Sequence, residues 1–181
     1  MHFSLQQGNP YEHLLHIWED LVSQVPEVEG KKFRIQKATI KDARGLNIRA
    51  EQADTYDKDD LDFIIRMHAW MNLLTPMNYT LFHGDAILVM ITIMPIADGV
   101  GDICFLTDNN LANGSKLLRF NVIKLFKQAL LEAPFRRLQA KVKEGFDIGT
   151  NFVEKLGFER EGLLKQFGGD GSNYHMYGML K

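Results

Sequence analysis

One cysteine, Cys104, stands in a chain of 181 residues, which excludes an intrachain disulfide and suits a reducing compartment. An excess of charge of one sign is also missing. The 21 Lys and Arg against 23 Asp and Glu leave a net charge of -2, too little for general attraction to nucleic acid. Long apolar runs are absent. The most apolar window, residues 86–95, is far too short to cross a bilayer as a helix and reads as a buried strand. The opening MHFSLQQGNPYEHLL lacks a basic stretch followed by an apolar one, so no secretory signal is expected. There is no internal repeat and no low-complexity segment. The expectation is a cytoplasmic protein with neither nucleic acid nor membrane as partner.

What is present is the composition of an ordinary globular domain, 45% hydrophobic and 24% charged, long enough to bury one core. Two parts are expected: an N-terminal helical extension over residues 1–31 and a main domain over residues 32–181. Asn9-Pro10 is a helix start, and Leu14, Trp18, Leu21, Val22 and Val25 follow at helical spacing. A first strand is predicted over residues 32–39, then helices over 40–53 and 59–74. A hairpin of strands 79–82 and 86–94 comes next, then a turn at 96–101 and a fourth strand over 101–107. Leu118, Val122, Leu125 and Ala129 share one face of a helix over 116–132. A fifth strand (137–142), a helix (150–156) closed by Gly157 as a left-handed cap, and a last hairpin (163–167, 174–180) complete the order. The strand–helix–strand step makes the fourth and fifth strands parallel, and the hairpins make their neighbours antiparallel. The fold class is therefore α/β with a mixed sheet and helices on both faces.

Three stretches resemble one family. Residues 35–46, IQKATIKDARGL, are similar to its opening, where the first strand ends in Ala-Thr and an Asp follows. Residues 103–108, ICFLTD, resemble its fourth strand. Residues 152–162, FVEKLGFEREG, resemble its late helix with a Lys-Leu-Gly-Phe ending. The family is the GNAT superfamily of acetyl-CoA-dependent N-acyltransferases. Phe105-Leu106-Thr107 running straight into a helix, and Gly168-Gly169-Asp170-Gly171 followed by Tyr174-His175-Met176-Tyr177, are similar to the GNAT-like proteins of tailed bacteriophages. The resemblance implies a sheet whose parallel strands 4 and 5 splay around acetyl-CoA, with a small-molecule or protein amine as acceptor. It also implies the alternative of a non-catalytic virion component, or a factor in the host cytoplasm that binds other phage or host proteins.

Acyl transfer from a thioester sets four requirements. Backbone N–H groups at a helix start must hold the pyrophosphate. The family loop, Arg/Gln-x-x-Gly-x-Gly/Ala, aligns with residues 109–114, where Asn109 and Ala112 depart from it. Asn113, Gly114, Ser115 and Lys116 are the cofactor-binding candidates there; helix capping by Asn113 or Ser115 is the alternative. Phe105, Leu106 and Thr107 are placed along the cofactor arm, with a backbone amide to polarise the carbonyl. A carboxylate must take the amine proton: Asp102 and Asp108 flank the fourth strand, Glu144 follows the fifth, and Asp108 is the expected base. An acid must return a proton. The family's tyrosine aligns with Val153 and its asparagine with Phe146, so Tyr174 and Tyr177 are the substitutes. Cys104 reads as an inert buried thiol. Arg136, Arg137, Lys141 and Lys143 form a basic cluster that suits a solvated strand edge or the cofactor phosphates. No His and Cys spacing marks a metal site.

Overall fold

A computed structural model describes residues 12–48 and 77–181. The Asn9-Pro10 helix start, the helix expected over 59–74 and the end of the one expected over 40–53 lie outside the described residues. Helix α1 (Glu12–Ser23) places Leu14, Trp18, Leu21 and Val22 in the main core. The Trp18 ring meets Phe126 edge-on with centroids 5.3 Å apart. β1 (Phe33–Lys37) follows, and Thr39 caps α2 (Ile40–Gly45) through a reciprocal box with Asp42. β2 (Asn78–His83), β3 (Ala86–Ala97) and β4 (Val100–Thr107) form a meander. Then come α3 (Asn109–Asn113), α4 (Lys116–Glu132), β5 (Arg137–Lys143), α5 (Asp147–Leu156), β6 (Glu159–Leu164) and β7 (Tyr174–Leu180).

The seven strands form one sheet in the order β1-β2-β3-β4-β5-β7-β6. The β4–β5 pair is parallel and the other neighbours are antiparallel. Strand side chains alternate between faces. Val89, Ile91, Ile93, Ile103, Leu138 and Ala140 join α1, α4 and α5 in the main core. Met90 and Leu106 point the other way, into a smaller cluster with Ala38, Ala43 and Leu46. Among the described residues, no helix is long and apolar enough to cross a membrane.

Four boundaries differ from expectation. α2 ends at Gly45, because Asp108 captures the next stretch: the Asn47 N–H donates to Asp108 Oδ2 at 2.6 Å and Asn109 N–H to the Asn47 carbonyl. β3 runs on to Ala97, so the turn before β4 is tighter than the predicted 96–101. α5 begins at Asp147, with Phe146 as an N-cap that makes no side-chain bond. β6 lies earlier than predicted and its residues are almost all exposed, so no apolar alternation marked it. The left-handed Gly157 cap is present, with φ 105°.

Candidate active-site cleft

β4 and β5 pair at only three positions, Val100 with Arg137, Gly101 with Leu138 and Asp102 with Gln139. Beyond them the strands diverge around a cleft of about 430 Å³. Gly101 keeps the closed end narrow: a Cβ there would lie 2.9 Å from Leu138 Cδ2. On the α4–α5 side the walls are apolar. Phe105 stacks on Phe126 at 5.7 Å and meets Phe152 edge-on at 5.3 Å. Ile123, Phe146 and Val153 continue this wall.

The opposite side is polar. Asp102 and Cys104 alternate with Ile103 and Phe105, so they face away from α4 and α5. Lys141 Nζ donates to Asp102 Oδ2 at 2.5 Å. The other oxygen, Asp102 Oδ1, is buried without a hydrogen-bond partner. Lys141 also stands 5.7 Å from the Phe167 ring centre, and Phe167 packs edge-on against Tyr174. Cys104 is exposed, lines this space and is not buried as expected: it lies past Asp102, where β4 no longer has β5 paired beside it. Solvent reaches the thiol down the cleft, while the cleft walls crowd it. That crowding, with the charge of Asp102 adding and that of Lys141 opposing, pushes its pKa up to about 11.

The strand-to-helix junction is built mainly for its own closure. Asp108 caps α3, accepting from Asn110 N–H at 2.7 Å, and Ser115 Oγ caps α4, accepting from Leu118 N–H at 3.2 Å. Gly114 N–H donates to the Leu111 carbonyl. Arg119 donates to the carbonyls of Ala112 at 2.9 Å and Gly114 at 2.8 Å. The N–H groups of Lys116 and Leu117 are the first-turn donors these caps leave over. The cleft and its apolar wall fit a pantetheine arm; the junction offers a pyrophosphate little beyond those two amides.

The expected site residues divide between cleft and framework. Phe105, Leu106, Thr107 and Tyr174 line the cleft. Asn113, Gly114, Ser115 and Lys116 stand at the junction beside it, where Ala112 and Arg119 are the lining residues. Asp108 is buried, with both carboxylate oxygens held by backbone amides. Burial raises its pKa and the two amides lower it, with burial the larger effect. Tyr177 is buried in the main core. Glu144 accepts from Asn173 Nδ2 at 3.0 Å, outside the lining. Three of the four residues of the basic cluster are paired, Arg137 with Glu161, Lys141 with Asp102 and Lys143 with Asp170, while Arg136 is exposed. The Asp102–Lys141 pair went unread in sequence. Its signal was the alternation of polar and apolar residues along two strands predicted to be parallel.

A seven-stranded mixed sheet with one splayed parallel pair, flanked by helices, is the fold of the GNAT N-acetyltransferases. Among solved structures, an N-acetyltransferase from Staphylococcus aureus Mu50 matches with a TM-score of 0.61 at 15% identity, covering 82% of this chain and 98% of that one. Ard1 from Thermoplasma volcanium matches with a TM-score of 0.61 at 15% identity, over 82% of this chain and 97% of that one. YncA from Salmonella typhimurium, solved with its cofactor acetyl-CoA, gives 0.58 at 13% identity, over 82% and 93%. At these identities the likeness is one of fold. No family model and no curated protein matches the chain.

Proposed function

We propose that the protein transfers an acyl group from a pantetheine thioester, with acetyl-CoA the donor to test first, to an amine in the β4–β5 cleft. The observation that carries this reading is the splay itself: three paired positions and then a cleft with one apolar and one polar wall. When bound, the thioester supplies the acyl group and a thiol leaving group. The chain's own groups supply position and proton transfer. The Phe105–Phe126–Phe152 wall takes the arm and excludes water. The β4 edge past Asp102 offers backbone donors to a developing oxyanion. Asp102 is the carboxylate the cleft holds, oriented by Lys141, and it takes the proton from the attacking amine. The Tyr174 hydroxyl, on the same side, returns a proton to the departing sulfur.

Calorimetric titration and thermal melting with acetyl-CoA test the reading. A ligand that favours the native state raises the melting temperature, by about 2.7 kcal/mol of stabilisation at a hundredfold excess over Kd. No heat and no shift with acetyl-CoA, and none with a protein-borne pantetheine thioester, would overturn it.

A second reading rests on the closed junction, where Ser115 and Arg119 commit the groups a pyrophosphate would use. In it the fold binds another phage or host protein without catalysis. Co-purification with virions and a flat acetyl-CoA melting curve would favour it.

A further inference from the structure

α4 buries one face and leaves another bare. On the bare arc Leu117, Phe120 and Leu131 are 57%, 63% and 53% exposed. Lys116, Lys124 and Lys127 are exposed among them. Leu117, Phe120, Lys124, Lys127 and Leu131 recur every three or four residues, so they form one line along the helix. No acidic residue occurs in the helix before Glu132. Exposed apolar side chains interleaved with charge of a single sign match a partner surface that is apolar and acidic. The same helix borders the cleft, because Arg119 and Ile123, one edge further round, are lining residues. At the junction beside them, the Arg119 guanidinium and the Ser115 hydroxyl are spent on the loop and the helix cap, which leaves a nucleotide few contacts.

We infer that the outer face of α4 docks an acidic helical carrier domain, which presents the acyl group on a 4′-phosphopantetheine arm. The inference rests on the acyl-transfer reading and deepens it: protein contacts along α4 stand in for the nucleotide end of CoA. The carrier's apolar residues cover Leu117, Phe120 and Leu131, its carboxylates meet Lys124 and Lys127, and its arm enters the splay past Arg119. In the transfer, the carrier thioester C–S bond breaks and the acceptor C–N bond forms. Asp102 takes the amine proton, the Tyr174 hydroxyl gives one to the departing sulfur and is reprotonated from Asp102 through solvent, and the carrier leaves as a free thiol.

The test uses the full chain and a purified acidic fatty-acid acyl carrier protein in apo, phosphopantetheinylated and acetylated forms, with acetyl-CoA in parallel. Acetylated carrier should bind and donate, more weakly at high salt. Phe120→Glu and Lys124→Glu should each weaken carrier binding by about tenfold or more. Both variants should leave the acetyl-CoA melting shift unchanged. Lys124→Glu keeps the test alive if Phe120→Glu fails to fold. A chain that acetyl-CoA stabilises, but whose carrier binding is nil or indifferent to both substitutions, would overturn the docking and leave acyl transfer standing. No response to either donor would overturn both. A homodimer that Phe120→Glu dissociates would assign the face to a second copy of this chain instead.

Discussion

Cys104 carries the sharpest test of the cleft at the scale of single residues. Its thiol is accessible yet titrates at about 11, because the walls disfavour the thiolate. Alkylation by iodoacetamide should be slow at neutral pH and accelerate by about tenfold per pH unit towards that value, since only the thiolate reacts. The charge of Asp102 raises the thiol pKa and that of Lys141 lowers it, so Asp102→Asn should move the midpoint down and Lys141→Met should move it up. A midpoint at the ordinary thiol value would mean the walls do not close round the sulfur. Gly101 sets the other end of the cleft. An alanine Cβ would press on Leu138, Ile93 and Phe135 at 2.9–3.1 Å, all of them buried. Gly101→Ala should cost about 1–3 kcal/mol in urea unfolding. These roles were hidden in the sequence for one reason. Which side of a strand a residue occupies is legible from alternation, but which side has lost its neighbour depends on where a distant strand stops pairing.

Helix α4 shows how an element becomes legible. Its apolar period, the Ser115 cap and the stop at Pro134 all agree, and the predicted bounds 116–132 are those observed. Ser115→Ala should lower stability by about 1 kcal/mol, whereas Ser115→Asp should be nearly neutral, because Asp caps as well as Ser. Thermal melting of the two variants separates the cap from any wider role. α2 and β6 were misjudged for opposite reasons. α2 has the composition to run on, but a buried carboxylate from 61 residues further along takes its next amide. β6 sits at the sheet edge with both faces in solvent, so it carries no alternation to read. Local pattern predicts elements until a long-range contact or a lack of burial removes its basis.

For the molecule as a whole, α1 belongs to the same core as the sheet. Trp18 is fully buried between the Tyr79 and Phe126 rings. Trp18→Ala should cost about 3–5 kcal/mol, a large share of the ~5–15 kcal/mol that holds a domain folded. A chain shortened past α1 should therefore unfold in much lower urea than the full one; equal midpoints would show that α1 is dispensable. The parallel pair and its antiparallel neighbours followed from element order alone, because a helix between two strands leaves few other connections, whereas the placing of β7 between β5 and β6 did not. The proposed donor did not follow, because that reading depends on side chains from β4, β5, α4 and the last hairpin that meet only in three dimensions.

The splay has a consequence for amide protons. Centres of sheets ordinarily give up their hydrogens slowest. Past Asp102 and Gln139, however, β4 and β5 share no ladder. Deuterium should therefore enter a narrow band in the middle of this sheet faster than it enters the strands on either side, and a molecule lodged between the two strands should close that band without slowing the edges.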